Sequence, residues 1–288
     1  MDIWQRVNDD IFLGALDLNT LIPVAGGDIC SSFKVQSTVG ESFFIKTHSN
    51  PGVLETEFQN LGHLAKVKLA SPEAIGVCSV ENCAALVLPF LSMTAHGDET
   101  LLGQQLALMH RHVSSDGRYG LAYNNYIGAN KQVNTLHERW ADFWWQCRLL
   151  PQLRLAESKG VPEKVWHDLE SACTNLLSTH QPQASLLHGD LWSGNKAYQQ
   201  DATPVVFDPA TYYGDRETDI AFTRVFGGFS KDFYQAYQKE WSLPEGWQQR
   251  QHLYNLYHLL NHLNLFGEAY LSEVLGLIQL VSTPFNFR

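Results

Sequence analysis

The stretch HGDLWSGN, His188 to Asn195, followed thirteen residues later by Asp208, decides how the rest of the chain is read. An acid (Asp190), an amide five positions on (Asn195) and a second acid after the apolar run Pro204 Val205 Val206 Phe207 supply one proton acceptor and two oxygen ligands. Those are the parts of a phosphoryl-transfer centre. Asp190 accepts the proton of an attacking hydroxyl, while Asn195 and Asp208 hold magnesium, which screens charge on the transferred phosphate. Gly, Asp, Ser and Asn are also common in plain turns for conformational reasons. The flanks argue against that: Ala184 to Leu187 is a short apolar approach, and with Pro204 to Phe207 it predicts a hairpin that delivers both acids to one edge.

The Asp-to-Asn spacing matches the protein-kinase pattern H-R-D-x-x-x-x-N, with Gly189 where that pattern has arginine, which points toward small-molecule kinases. Downstream, Asp215, Glu217 and Asp219 crowd one short segment. Asp219 is expected to bond donors of the catalytic loop. Asp215 and Glu217 are expected to face substrate, against the plainer role of compensating a helix N-terminus.

Upstream, Leu21 to Ala25, the turn Gly26 Gly27 Asp28 and Phe33 Lys34 Val35 read as strand, glycine turn, strand. Backbone amides in such a turn approach phosphate oxygens because glycine removes the side-chain obstruction. Cys30 lies beside this turn, and two readings stand: a thiol acidified by amide dipoles and open to reversible oxidation, or a small buried strand residue. Glu41 to Thr47 is the next strand and carries Lys46. On the following helix, Leu54 to Lys66, Leu54, Phe58, Leu61 and Ala65 form the apolar face; Glu57 lies beside it and Glu55 points away. A Lys46–Glu57 pair would hold the lysine at nucleotide phosphates. Residues 73–80 and 83–88 predict a hairpin running into Pro89 Phe90 Leu91, where the Pro89 carbonyl and the Leu91 N–H would meet adenine.

Residues 117–130, rich in Gly, Tyr and Asn, read as a surface loop, and a long helix follows with Leu136, Trp140, Phe143, Cys147 and Leu150 on one stripe. His110 reads as structural. A final helix over 250–266 turns Leu253, Leu256, Leu260 and Leu263 inward, and His258 and His262 read as packing residues.

With 288 residues the chain is long enough for two lobes, and a formal net charge of −10 makes nucleic acid or an anionic membrane an unsuitable partner. No apolar run is long enough to span a membrane, and the simplest reading is a soluble cytoplasmic protein. Five cysteines scattered at 30, 78, 83, 147 and 173 form no disulfide framework.

Taken together, GGDICSSF (26–33), FFIK (43–46) with ETEFQNL (55–61), LVLPFL (86–91), LGQQLALMHR (102–111), NNYIGANKQVN (124–134), RWADFWWQCRLL (139–150), LLHGDLWSGN (186–195), VVFDPATYYGDRETDIAFTRVFGGF (205–229) and LYNLYHLLNH (253–262) resemble the fructosamine (ketosamine) kinases. HGDLWSGN with Trp192, DPATYYGDRE and NNYIG separate that family from aminoglycoside and choline kinases.

The resemblance implies an α+β, protein-kinase-like bilobal fold: an antiparallel N-lobe sheet with one helix over residues 1–90 and a mostly helical lobe over 91–288. It also implies ATP and Mg²⁺ in the cleft, and transfer of the γ-phosphate to the sugar 3-hydroxyl of a small or protein-linked ketosamine. Residue by residue it implies Asp190 as base, Asn195 and Asp208 as magnesium ligands, and Lys46 with Glu57 as the phosphate anchor, with adenine at Pro89 to Leu91. The family usually has an acid where this chain has Pro89, a position used only through its backbone. A ketosamine carries a polar sugar and a protonatable amine, so Trp192, Asp215 and Glu217 are its expected contacts, beside Asp190. Two alternatives share the fold: a kinase for another hydroxylated amine, such as an aminoglycoside, and a catalytically silent binding module. Intact Lys46, Asp190, Asn195 and Asp208 argue against the second.

Overall fold

The computed structural model describes residues 2–27, 29–67 and 69–283; Asp28 of the glycine turn lies outside them. A five-stranded antiparallel sheet opens the chain in the order β1-β2-β3-β5-β4, built from β1 (Leu16–Pro23), β2 (Ser31–Ser37), β3 (Ser42–His48), β4 (Gly76–Val80) and β5 (Cys83–Pro89). Helix α1 (Ile3–Asp10) covers one face through Ile3 and Val7, which join Val35, Ile45 and Val87 in a small core. Helix α2 (Pro51–Leu64) covers the other through Leu54 and Leu61 against Leu86 and Leu88. Asn50 caps α2, its Oδ1 accepting from Gly52 N, and Pro51 takes the first turn where no N–H is needed. The last turn of α2 reaches further: Leu64, with Leu69, packs among Leu102, Leu106 and Ile220 of the helical half.

Alternation along β3 fixes the lysine. Lys46 stands opposite Ser32 on one side and Leu86 on the other, in the middle of the sheet and buried. A charge there is tolerated only with partners.

Beyond β5 the chain is mainly helical: α3 (Glu99–His110), α4 (Trp140–Phe143), α5 (Leu150–Ala156), α6 (Trp166–Leu177), α7 (Glu217–Phe222), α8 (Lys231–Glu240), α9 (Trp247–Phe266) and α10 (Leu271–Ser282). The expected long helix begins at Trp140 and passes through a π-helical segment, Trp144–Leu149, between α4 and α5; Leu136 lies before it, exposed. The inserted residue widens the stripe, so Trp140, Trp144 and Cys147 are all buried. Helix α9 buries Leu253, Leu256, Leu260 and Leu263 as read, but it is not the last: α10 follows.

Short sheets interrupt the helices: β6 (Met93–Thr94), β10 (Lys196–Gln199) and β11 (Pro204–Val206) form one, β9 (Ser185–Leu187) and β12 (Tyr212–Gly214) a second, and β7 (Asn125–Ile127) with β8 (Asn130–Gln132) a third. The hairpin expected between residues 184–187 and 204–207 is therefore not formed. Strand β9 pairs with β12, and β11 pairs with β10, a strand hidden in the polar-looking Lys196–Gln199. Asp190 and Asp208 follow the ends of two different sheets.

The segment 117–130 also departs from expectation. It ends in the β7–β8 hairpin, and Asn125, Gln132 and Asn134 are buried, because each amide finds partners inside.

Candidate active site

Between the sheet and the helices lies a cleft of about 240 Å³. Of the residues singled out in the sequence, Gly26, Gly27, Lys46, Glu57, Asp190, Trp192, Asn195 and Asp208 line it.

The N-lobe wall is organised by one ammonium. Lys46 Nζ donates to Glu57 Oε1 at 2.6 Å and also to Asp208 Oδ1. Burial alone would lower the lysine, but the two carboxylates beside it hold it well above its ordinary value. Burial lifts the Glu57 carboxyl while Lys46 opposes that. Glu55 points to the other side, where its Oε1 accepts from the Ser79 hydroxyl at 2.7 Å.

The loop that carries Asp190 is held from below by Asp219. Its Oδ2 accepts from His188 N at 2.8 Å and its Oδ1 from Gly189 N at 2.9 Å, while His110 Nε2 contacts it at 3.1 Å. His110 is thus structural, its Nδ1 on the Tyr237 hydroxyl at 2.8 Å. His188 closes the loop from within: Asp190 N donates to its Nδ1 at 3.3 Å, so Nε2 carries the hydrogen that reaches Phe207 O at 3.1 Å. Gly189 has φ +82, and a Cβ there would stand 2.0 Å from Ala210 O. No side chain fits between the two strands of the site.

Asn195 Nδ2 donates to both the backbone oxygen (2.8 Å) and Oδ2 (3.0 Å) of Asp190, leaving Oδ1 as the amide's acceptor. Burial, and next the Asp208 charge, push the Asp190 carboxyl up to about 8, against the Asn195 bond. Asp208 itself has φ +58, a left-handed conformation that costs a non-glycine residue energy and gathers at functional sites.

Trp192 forms the opposite wall. Its ring centroid lies 5.5 Å from Phe226 and 6.0 Å from His262, and Phe266 stands 5.5 Å from His262. Gly194 is required beneath it, since a Cβ there would meet the indole at 2.3 Å. Asn60, Tyr126, Gly128, Asn261, His262, Leu265 and Phe266 also line the cleft, and sequence reasoning missed them. Only the i, i+4 pair His258 and His262 gave a signal, and of these His262 reaches the cleft while His258 stacks on Phe222 at 3.7 Å.

Two expectations are corrected: the pair Asp215 and Glu217, and the acidified thiol at Cys30. Asp215 and Glu217 do not face the cleft: they are 1% and 2% exposed. Asp215 Oδ2 accepts from Tyr254 OH and pairs with His180 Nε2, each at 2.7 Å, and Glu217 takes a bidentate pair from Arg250 at 2.8 and 2.7 Å. Their oxygens are occupied by internal partners. Pro89 ends β5 and Phe90 and Leu91 run on from it, with Phe90 N tied to Ser42 O at 3.2 Å and the Phe90 ring under Lys34. Cys30 lines the cleft, but burial pushes its thiol up to about 12, the reverse of an acidified thiol.

Residues 4–283 match the fructosamine kinase family. The chain belongs to that family. "Probable ketoamine kinase" of Vibrio parahaemolyticus is 36% identical over 281 residues, covering 94% of this chain and 96% of that protein. The crystal structure of "Putative fructosamine-3-kinase" from Haemophilus somnus 129PT superposes with a TM-score of 0.89 at 27% identity, over 97% of both chains. A thermostable mutant of an aminoglycoside phosphotransferase, in a ternary complex with AMP-PNP and hygromycin B, shares the fold alone: TM-score 0.63 at 14% identity, 96% of each chain. This fructosamine kinase family member is thus a phosphotransferase with the kinase-like α+β fold. Among the described residues no helix is long and apolar enough to cross a membrane.

Proposed function

We propose that this fructosamine kinase family member uses ATP and Mg²⁺ in the cytoplasm to phosphorylate the sugar 3-hydroxyl of a ketosamine, small or protein-linked. The observation that carries the reading is that Lys46, Glu57, Asp190, Asn195 and Asp208 line one cleft with Trp192 at its other side. The nucleotide lies between the lobe of residues 1–90 and that of 91–288, with Gly26, Gly27 and Lys46 toward its phosphates and the Pro89–Leu91 backbone toward adenine. The donor set suits magnesium: Asp208 offers a carboxylate and Asn195 an amide oxygen, both hard ligands. When bound, the ion screens phosphate charge.

Asp190 takes the acceptor's proton as the hydroxyl oxygen bonds to the γ-phosphorus and the bond to ADP breaks. Its raised carboxyl brings its affinity for that proton closer to neutrality than an ordinary aspartate's. Asn195 orients it through the 3.0 Å bond. Phosphorylation at that position lets the sugar leave the amine. The rings of Trp192 and His262, which line the cleft at 89° to each other, offer the acceptor an aromatic corner, with Phe226 edge-on against the indole.

Incubation with ATP, Mg²⁺ and fructosyl-lysine, followed by mass spectrometry, should yield a phosphorylated sugar, with choline and aminoglycosides poor acceptors. Efficient aminoglycoside turnover with none on fructosyl-lysine overturns the substrate. Trp192→Ala should raise the ketosamine KM about tenfold and leave the ATP KM within about threefold; an equal rise in both would remove the indole from the acceptor side.

A further inference from the structure

The β7–β8 hairpin is built from buried amides that phosphoryl transfer does not use. Asn60 on α2 donates from Nδ2 to Pro209 O at 2.9 Å, and its Oδ1 accepts from Asn125 Nδ2 at 3.1 Å. Asn125 Nδ2 also donates to Thr211 O at 2.9 Å. Gln132 Nε2 donates to Ala210 O at 2.9 Å and to Asn125 Oδ1 at 2.8 Å, while its Oε1 accepts from the Tyr257 hydroxyl at 2.8 Å. Three successive carbonyls after Asp208, those of Pro209, Ala210 and Thr211, are each taken by an amide. At the other end of α2, the capping Asn50 donates from Nδ2 to the Tyr126 hydroxyl at 3.2 Å. One hairpin therefore touches both ends of the helix that carries Glu57.

A buried amide that loses its partner carries the full desolvation penalty of the unpaired group. Swinging α2 away from Asp208 would strand the Asn60 amide and the Pro209 carbonyl together, while Asn125 would keep Thr211 O, Gln132 and Asn134. Kinases need their Lys–Glu pair in place before they act. Here Asn60 lies three residues beyond Glu57, close to one helical turn, so fixing it fixes Glu57.

We propose that β7–β8 is a permanent brace: Asn60, Asn125, Gln132 and Tyr126 are positioning residues that hold α2 against the Asp208 segment and keep Glu57 on Lys46 without any ligand or modification. The proposal rests on the reading of Lys46, Glu57 and Asp208 as the nucleotide-anchoring group, and its test keeps the two apart by reading nucleotide binding and helix dynamics rather than ketosamine turnover.

Titrating a fluorescent ATP analogue with Mg²⁺ into wild type, Asn60→Ala, Glu57→Gln and the double variant forms a cycle. Each single change should weaken binding about tenfold, and the double should be no more than about threefold worse than the weaker single. Hydrogen exchange over residues 51–64 should rise at least about tenfold in Asn60→Ala while β3 and β5 keep their protection. Multiplying effects, or unchanged exchange over α2, overturn the brace; a wild-type chain that binds no nucleotide overturns the underlying reading instead. Should Asn60→Ala fail to fold, Tyr126→Phe replaces it in the same cycle: about a threefold weakening that vanishes in the Glu57→Gln background supports the brace, and a weakening that persists there overturns it.

Discussion

Two pairs of acids lie close in the sequence and do opposite things in the fold. Asp190 and Asp208 follow the ends of strands in two separate small sheets and line the cleft, with Asn195 and Lys46 as their respective side-chain partners. Asp215 and Glu217, seven and nine residues beyond Asp208, are sealed beneath and fully occupied by His180, Tyr254 and Arg250. The difference teaches that acid density does not locate a reacting centre. What separates the pairs is the supply of internal donors: wherever guanidinium, phenol and imidazole saturate a carboxylate, it is a building element.

The comparison breaks most sharply at Asp208. Asp208→Ala should abolish turnover and the Mg²⁺ dependence of nucleotide binding, because it removes the proposed carboxylate ligand and one of the two anions around Lys46. Unchanged magnesium dependence in a nucleotide titration would take the metal away from this residue. Asp190→Asn should lower kcat by about 10² to 10⁴ while nucleotide affinity stays within about threefold, since it deletes a proton acceptor and little binding surface. Turnover close to wild type would remove Asp190 as base.

The buried pair should respond in stability. Glu217→Gln leaves the Arg250 guanidinium buried without its counter-charge, so the fold should lose about 3 kcal/mol in urea titrations. The surviving folded enzyme should keep its ketosamine KM within about twofold. A large KM rise with little loss of stability would return Glu217 to the substrate side, and the contrast between the two pairs would fall.

Much of the cleft is legible in the amino-acid sequence. Helical phase alone chooses Glu57 over Glu55, because 100 degrees per residue separates them and only one abuts the apolar face. The roles of Asp219 and His110 are legible too, since buried backbone amides of a loop need an acceptor and a histidine ending an apolar helix packs inward. What stays hidden depends on pairing at a distance. Nothing local says that β9 pairs with β12 rather than with β11, that Arg250 reaches Glu217 across thirty-three residues, or that an asparagine-rich stretch turns inward. Composition suggests solvent for residues 117–130 because amides are usually solvated, and the partners that reverse this for Asn125 lie on α2 and after Asp208.

The smallest effect probes the buried side of the contrast by acid. His258 stacks on Phe222 at 3.7 Å, and burial, helped by neighbouring His262 and Arg148 and opposed by Asp219, pushes its imidazole down to about 3. An unfolded histidine titrates near 6.5. Between about 6.5 and 3 the unfolded chain therefore binds a proton that the folded chain refuses, so stability is full above that window and falls as pH drops through it. One such group costs about 1.4 kcal/mol by pH 5.5. His110 and His188, also lowered by burial, add in the same direction. Urea unfolding at pH 7.5 and 5.5 should show the wild type losing more than His258→Gln does, by about 1 kcal/mol. Equal losses would mean that His258 carries its proton in the fold, and the buried layer would then hold a charge that its neighbours do not explain.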